Sequence, residues 1–293
     1  MEKVKSYKIM EKKHIWIGIS VIMIALGIVS MSMRGLNWGI DFTGGNLLHF
    51  NLNQNYELAE VRSILEELDI KEFEAKKAGD GQQELIIRTV ELSENMQTEI
   101  LDTLKREWSE TELIRAETID AVIGKEMQRQ AVIALIIANI GMLIYITFRF
   151  EFYSAVAAVM ALLHDVLIVL SFYAIFNIPV DSSFIAVILT IVGYSVNDTI
   201  VIFDRIRENL KVMKQASFED IANISITQSI TRTVNTSLTT LLTITALYFL
   251  GGETIRDFTS ALIVGISAGT YSSIFIASSL WLILRGKTRI ANA

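Results

Sequence analysis

Six apolar runs divide the chain, and each is long enough to cross a membrane as a helix. A spanning helix needs about 20 mainly apolar residues to cross roughly 30 Å of hydrocarbon. The runs cover residues 15–33, 131–148, 152–176, 184–203, 231–250 and 258–284. The pattern therefore predicts an α-helical membrane protein with six transmembrane helices.

The first apolar run has a second interpretation, a cleaved secretory signal peptide, because five lysines precede it. A signal peptide has an apolar region of only about 7–15 residues and a cleavage site with small residues. Residues 15–33 exceed that length, and no such site follows them. We therefore predict a retained first span.

Between the first two runs the pattern changes to short alternating stretches, which predict a folded domain. Gly79-Asp80-Gly81 is typical of a hairpin turn. The β-α-β-β-α-β order predicts an α+β, ferredoxin-like domain within residues 35–128, with Phe73 and Trp108 in its core. The predicted elements are strand 46–52, helix 56–68, strand 71–78, strand 83–90, helix 93–108 and strand 112–118.

Charge is distributed unevenly and predicts the topology. Residues 35–128 contain 20 acidic and 9 basic residues, whereas lysine and arginine dominate the segments that flank the spans on one side. Positive residues stay on the cytoplasmic side of membranes. Both termini are therefore predicted to be cytoplasmic, the 35–128 domain extracytoplasmic, and the protein a multi-pass protein of the cytoplasmic membrane in contact with its lipid. The basic segments are 1–14, 149–151, 204–228 and 285–293.

Composition argues against several kinds of chemistry. There is no cysteine and only three scattered histidines, so neither disulfides nor a zinc site is expected. Residues 41–45 contain the paired glycines of a phosphate-binding loop but lack its lysine and its strand-to-helix context. Gly44 and Gly45 are instead expected to form a tight turn into the first strand. The sequence predicts no enzyme activity, no cofactor, no metal and no nucleic-acid partner.

Ionisable residues inside the apolar runs are the main candidate functional groups. A charge at membrane depth costs at least about 2.5–3.5 kcal/mol, so such residues usually face a bundle interior or a water path. Asp198 lies six residues before Asp204 in the fourth run, roughly 9 Å inside the membrane at 1.5 Å per residue. Arg232 opens the fifth run at a comparable depth. Because arginine stays charged, its approach to Asp198 would couple proton binding to helix movement.

Other interpretations of these charges stay open. Asp198 and Arg232 also fit an ion pair that only fixes helix packing. His164 and Asp165, adjacent in the third run, fit a proton relay, because histidine titrates near neutral pH, and equally fit hydrogen bonds between helices. Polar residues of the fourth and fifth runs are expected to line helix contacts or a wet path: Ser195, Asn197, Thr199, Thr233, Asn235, Thr236 and Ser237.

Four motifs occur in order along the chain: NWGIDFTGG at 37–45, LHDV at 163–166, GYSVNDTIVIFDRIREN at 193–209 and TRTVNTSLTTL at 231–241. At these spacings they resemble the motifs of the SecF family, the partner of SecD in the bacterial Sec protein-export machinery. The resemblance covers the whole chain, including six spans with one large loop after the first.

The resemblance implies a subunit that uses the proton gradient, or sodium in some members, to assist preprotein translocation with SecD and the SecYEG channel. It also implies the resistance–nodulation–division architecture of two six-span halves, in which SecD supplies the second half. Asp198 and Arg232 match the aspartate and arginine that take part in proton conduction in this family. Asp165 and His164 are further relay candidates.

Other motif positions are expected to have a structural role. Asp204 and Arg205 lie at the membrane edge and predict a solvated cap. The remaining positions of this kind are Asp41, Gly44, Gly45 and Asn197.

Two other functions fit the same architecture. One is a half-transporter of the same superfamily that exports a small hydrophobic solute, which requires a substrate cleft in the outside domain. The other is a non-transporting assembly factor that stabilises the translocon through helix packing. Loss of ion-dependent export on Asp198→Asn separates the translocase subunit from the assembly factor, and co-purification with SecD separates it from the solute exporter.

Overall fold

The computed structural model describes residues 6–70, 72–79, 81–252 and 255–291. In chain order the elements are α1 (Lys13–Arg34), α2 (Ile40–Thr43), β1 (Gly45–Asn51), α3 (Leu58–Glu67), β2 (Phe73–Ala78), β3 (Glu84–Thr89), α4 (Glu94–Glu107), β4 (Glu112–Ile119), α5 (Ala121–Arg149), α6 (Phe152–Phe176), α7 (Ser182–Val212), α8 (Phe218–Leu250), α9 (Arg256–Tyr271) and α10 (Ser278–Ala291).

Six helices within these ranges are long and apolar enough to cross a membrane: α1, α5, α6, α7, α8 and a last span in which the π-helical segment Ser272–Ala277 joins α9 to α10. The predicted fold class, six such helices with an α+β domain between the first two, is confirmed.

Several spans extend beyond their apolar runs. The helix α5 takes up the last residues of the segment 35–128, and α7 and α8 take up most of the segment 204–228, so that only 213–217 lies outside a helix. Across the two extensions, Asn209 Nδ2 donates a hydrogen bond to Ser225 Oγ at 2.8 Å. The apolar pattern marks only the part of a helix that would lie in hydrocarbon, and polar contacts of this kind stabilise the rest.

Three spans form the centre of the bundle. Buried residues are concentrated in α6, α7 and the last span, whereas α1, α5 and α8 lie at the periphery. Glycines permit close approach: a Cβ on Gly27 of α1 would lie 2.6 Å from Ser171 Cα of α6, and one on Gly265 of α9 would lie 1.9 Å from Ile191 Cδ1 of α7. Small residues allow membrane helices to pack at such short distances. Polar groups of α6, α7 and α9 are thereby brought into contact.

The domain between α1 and α5 has the predicted β-α-β-β-α-β order. Its antiparallel sheet has the strand order β2-β3-β1-β4. Trp108 lies in the core as predicted, and Phe73 packs against it. Lys71, in a predicted strand, and Asp80, in the predicted hairpin turn, lie outside the described residues. The helices α3 and α4 cover one face of the sheet, and the core between them includes Leu48, Phe50, Val61, Leu65, Leu85, Ile87, Ile100 and Leu104.

Replacing Gly27 with alanine is expected to loosen the packing of α1 on α6, because the added Cβ would overlap the backbone of Ser171. Overpacking of a close contact typically costs about 1–3 kcal/mol. Gly27→Ala should therefore lower the thermal unfolding midpoint of the chain in detergent by several degrees. Gly18→Ala is the matched control, since it lies in the same helix with no atom within 4 Å of its added Cβ. Equal midpoints for the two variants would contradict this packing.

Candidate functional site

Two buried aspartates lie in the centre of the bundle, and the first is Asp165 of α6, which is 1% exposed. Its Oδ2 accepts hydrogen bonds from Ser195 Oγ of α7 at 2.6 Å and from Ser272 Oγ of the π-helical segment at 2.8 Å. Its Oδ1 lies 2.9 Å from His164 Nδ1. A carboxylate at membrane depth needs such internal partners, because hydrocarbon supplies none. Three spans thus converge on one carboxyl group.

His164 extends this cluster to the first span. Its Nε2 lies 2.9 Å from Ser20 Oγ of α1. Its ring stacks on Tyr271 with the ring centroids 6.3 Å apart, and the Tyr271 hydroxyl donates to the Trp16 carbonyl oxygen at 2.8 Å. The adjacent His164 and Asp165 are therefore in direct contact, within a cluster that also joins helices to one another.

Asp198 of α7 is the second buried aspartate and is 2% exposed. Its Oδ2 accepts a hydrogen bond from Ser237 Oγ of α8 at 3.3 Å, and Ser237 Oγ accepts one from Thr270 Oγ1 of α9 at 2.6 Å. One residue further along α7, Thr199 Oγ1 lies 2.8 Å from Ser273 Oγ. The fourth, fifth and last spans therefore meet around Asp198.

Arg232 is placed near Asp198 but does not pair with it. In the part of the chain that the structure describes, no ion pair within 4.0 Å joins the two side chains. Arg232 is exposed and lines a cavity of about 380 Å³ between α7 and α8, on the side of residues 213–217. Asn197 also lines this cavity and is the chain neighbour of Asp198. In this conformation the arginine thus borders an open cavity while the aspartate is enclosed by protein.

The rim of the same cavity carries Asp204 and Arg205. Asp204 Oδ1 lies 3.6 Å from Arg149 Nη2, and Arg205 Nη1 donates to Glu208 Oε2 at 2.7 Å. These pairs are partly or largely exposed, and pairs of this kind contribute only about 0–1 kcal/mol. Asp204 and Arg205 lie inside α7, which continues to Val212, so they form a solvated charged surface before the helix end.

A separate junction forms where the segment 37–45 meets the connection between α6 and α7. Gly39 N donates to Val180 O, and Val180 N donates to Asn37 O, both at 2.7 Å. The Asp41 carboxylate accepts a hydrogen bond from Ser182 N at 2.7 Å. A carboxylate at a helix N-terminus satisfies a free amide and opposes the positive end of the helix dipole. The N-cap residue of this helix is Asp181, whose carboxylate accepts from Phe184 N at 3.2 Å. The segment 37–45 therefore adds a second carboxylate to the N-terminus of the helix that carries Asp198.

Gly44 and Gly45 turn the chain from this junction into β1. Their φ angles are +77° and +128°, a region that favours glycine. A Cβ on Gly45 would lie 2.3 Å from the Thr89 carbonyl oxygen of β3. Gln128 Nε2 of α5 donates to the Phe42 carbonyl oxygen at 3.2 Å, which adds the second span to the junction.

The sequence interpretation missed several members of these clusters. Ser20, Thr270, Tyr271 and Ser272 were not among the candidate residues. The available signal was the group of hydroxyl residues at 270–273 inside an apolar run, where each needs a partner. Within the described chain, no group of three or more His, Cys, Asp or Glu side chains is arranged to hold a metal ion. Of the polar residues expected to line helix contacts, Ser195, Thr199, Thr233 and Ser237 are buried, whereas Asn197 and Asn235 are exposed.

Comparison with known proteins gives consistent matches. The family described as "SecD/SecF GG Motif" matches residues 29–48, and "Protein export membrane protein SecD/SecF, C-terminal" matches residues 99–287. Protein translocase subunit SecF of Acidaminococcus fermentans is 39% identical over 97% of this chain and 99% of its own length. The corresponding protein of Sebaldella termitidis is 42% identical over 95% and 92%.

A solved structure is also similar. It is the crystal structure of SecDF from Thermus thermophilus, titled a translocon-associated membrane protein, with a TM-score of 0.89 and 36% identity. The match covers 97% of this chain but 39% of that chain. The present chain thus spans about two fifths of the SecDF protein that it resembles.

Removing the carboxylate that Asp41 provides is expected to loosen the first turn of α7. Asp41→Leu keeps the approximate size but deletes the acceptor for Ser182 N, and loss of one such hydrogen bond costs about 1 kcal/mol, while the N-cap Asp181 is unchanged. Amide exchange of a peptide covering residues 182–186, followed by mass spectrometry, should become about fivefold faster. Asp41→Asn retains an oxygen acceptor and should exchange nearly as the wild type does. Equal exchange in both variants would show that this contact does not stabilise the first turn of α7.

Proposed function

The chain belongs to the SecD/SecF family of protein-export membrane proteins, as a SecF-type subunit of the protein translocase, and from this premise we propose how it works. It couples the movement of protons, or of sodium ions, through its buried carboxylates to the export of preproteins. SecD and the SecYEG channel are its partners. The observation that carries this proposal is the enclosed Asp198 carboxyl beside a cavity that contains Arg232.

The position of Asp198 suits a group that binds and releases an ion. It has a single hydrogen-bond donor from a described side chain, Ser237, whereas a permanently charged carboxylate at this depth needs more compensation. The Thr233 hydroxyl lies four residues before Ser237 on the same helix face, is buried, and has no partner among the described residues. Thr233 adjoins Arg232, which lines the cavity, and its free hydroxyl is a candidate for passing a proton from the cavity to Asp198.

Arg232 gates this site. Its guanidinium remains charged and so does not carry the proton. In the present conformation it acts on Asp198 from beyond ion-pair distance, which leaves the carboxyl available for a proton. A movement of α8 that brings Arg232 closer favours the charged carboxylate and expels that proton. Ion passage is thereby linked to displacement of α8 against α7.

Asp165 and His164 form the second relay site. Each of the two imidazole nitrogens can act as a hydrogen-bond donor or acceptor. The imidazole lies between the carboxyl group and Ser20 of α1, so its protonation changes contacts in the first span as well as the third. The contacts of Asp165 with α7 place this site close to the segment of that helix that carries Asp198.

A polar surface on α7 and α8 supports SecD as the partner. Thr190, Asn197, Arg232, Asn235 and Thr239 are exposed at positions that lie within the two predicted spans. Amide and guanidinium groups at membrane depth do not face lipid when a protein surface can cover them. A second six-span subunit supplies that surface. The related SecDF is described as a translocon-associated membrane protein, and we propose the same association for the present chain.

The α+β domain of residues 35–128 contacts the spans where their movement would also move the domain. A cavity of about 600 Å³ lies between its sheet and the beginnings of α7 and α9, with Leu47, Arg88 and Phe258 among its lining residues. The junction of segment 37–45 with α7 joins the domain to the helix that carries Asp198. Movement of α7 is thereby transmitted to the domain, which acts near the emerging preprotein.

Asp198→Asn is expected to abolish ion-dependent export, because it removes the titratable proton while keeping the size and a hydrogen-bond acceptor for Ser237. The measurement is the export rate of a secreted reporter in cells that depend on this chain, with and without an ionophore that collapses the gradient. Pull-down of SecD should remain unchanged. Asp204→Asn, in the same helix but at the solvated rim, is the control and should export normally. Normal gradient-dependent export by Asp198→Asn would refute the relay and favour a scaffold.

The proposed topology, with both termini cytoplasmic, is directly testable because the chain contains no cysteine. Exposed positions for single-cysteine variants are Glu99 in α4 and Lys214 between α7 and α8. In right-side-out spheroplasts, a membrane-impermeant maleimide should label Glu99→Cys but not Lys214→Cys. Permeabilised membranes should give labelling of both. The opposite pattern in intact spheroplasts would reverse the proposed orientation.

A further inference from the structure

The last span changes its helical type at the level of the two buried aspartates. The helix α9 ends at Tyr271, and the π-helical segment begins at Ser272. Single π-helical turns inside α-helices are rare and often occur at functional sites. Ser272 and Ser273 are fully buried, as are Ser278 and Ser279 beyond the segment. The turn of residues 270–273 therefore places hydroxyl groups, rather than apolar side chains, against α6, α7 and α8.

Hydrogen bonds connect this turn to both carboxylates, one directly and one through a third hydroxyl. Ser272 Oγ donates to Asp165 Oδ2 at 2.8 Å. Thr270 Oγ1 donates to Ser237 Oγ at 2.6 Å, and Ser237 Oγ donates to Asp198 Oδ2 at 3.3 Å. One segment of backbone four residues long is thereby connected to Asp165 directly and to Asp198 through a single hydroxyl.

The turn is also held closely against α7. Ser273 Oγ lies 2.8 Å from Thr199 Oγ1 and 3.2 Å from the Ser195 carbonyl oxygen. A Cβ on Gly269 would lie 3.0 Å from Ser195 Cβ. Ser195 is itself a donor to Asp165. The two helices are in van der Waals contact here, so a displacement of the 270–273 turn also displaces α7.

Both hydroxyls have a second acceptor on their own helix. Ser272 Oγ lies 3.2 Å from the Gly269 carbonyl oxygen, and Thr270 Oγ1 lies 2.9 Å from the Ile266 carbonyl oxygen. Each hydroxyl has one proton to donate and can give it to either acceptor. A charged carboxylate attracts these donors, whereas a protonated carboxyl has fewer acceptor sites and becomes a donor itself. A change of charge at one aspartate therefore redirects the hydroxyls of this turn.

From this geometry we propose that Thr270 and Ser272 are positioning residues that couple the two carboxylates, so that the charge state of Asp165 sets the hydrogen bonding of Asp198. The proposal rests on the proposed function, in which both aspartates exchange protons. The other titratable or charged groups that face the pair are His164 of α6, Tyr271 of α9 and Arg232 of α8. None of these three is altered in the variants below.

The test uses the full-length chain in lipid vesicles and dicyclohexylcarbodiimide, which modifies protonated carboxyl groups in apolar sites. The measured quantity is the rate of modification of Asp198, determined by mass spectrometry. Asp165→Asn is permanently neutral, and its amide can offer oxygen to both serines and NH₂ to His164. We expect this change to slow the modification of Asp198 about fivefold, which corresponds to about 1 kcal/mol of coupling.

The coupling should depend on the two hydroxyls. In a Thr270→Val, Ser272→Ala background, Asp165→Asn should leave the rate at Asp198 unchanged. Thr259→Val and Ser279→Ala are the matched controls. Thr259 and Ser279 are fully buried in the same span, and their short hydrogen bonds are made to their own helix. Both controls, and Thr270→Ser, which retains a hydroxyl, should keep the fivefold effect.

Two results would overturn the proposal. One is an Asp198 rate that does not respond to Asp165→Asn. The other is a response that persists without both hydroxyls, which would mean that the carboxylates interact only through space. If the reagent reaches neither group, the carboxyl stretching bands in infrared spectra are measured instead. An Asp198 band that does not shift on Asp165→Asn would then overturn the proposal. Because these measurements involve no export, they are independent of whether Asp198→Asn blocks it.

Discussion

Hydrocarbon offers no hydrogen-bond partner, so every polar group at membrane depth must be satisfied by the protein itself. This constraint determines the arrangement of the central spans. Asp165 takes donors from two other helices, and Asp198 takes one from a third. The glycines of α9 are required for the same reason, since hydroxyl groups can reach across to α7 only when the two backbones lie close together. The centre of the bundle is therefore held by a polar network in which each member fixes the geometry of the next.

A second consequence concerns the asymmetry between the two carboxylates. Asp165 is surrounded by two hydroxyls and an imidazole, whereas Asp198 has one longer hydrogen bond and lies beside an open cavity. The two carboxyl groups lie on consecutive helices, and the last span is hydrogen-bonded to Asp165 directly and to Asp198 through Ser237.

Part of this structure could be predicted from the sequence. Apolar run length identified the six spans, and the change from helical to alternating periodicity identified the domain and the β-α-β-β-α-β order of its elements. Helix ends were less accessible, because the extensions of α7 and α8 are stabilised by contacts such as Asn209 with Ser225 rather than by apolar pattern. The nearness of Asp198 and Arg232 in depth did not reveal that one is enclosed and the other faces a cavity, since this depends on helix rotation. Ser272 was missed for a similar reason, because its contact with Asp165 depends on the π-helical turn that directs its hydroxyl there.

The contact of Asp41 with α7 has a consequence for how the protein is made. Asp41 and Ser182 are 141 positions apart, so at the usual 5–20 residues per second their contact cannot form until roughly 7–30 s after Asp41 has been synthesised. The domain between α1 and α5 has its own core, and all of its strands precede the fourth span in the sequence. It is therefore expected to fold first, and α7 then docks onto the folded domain. The docking of α7 therefore depends on a domain that has already folded.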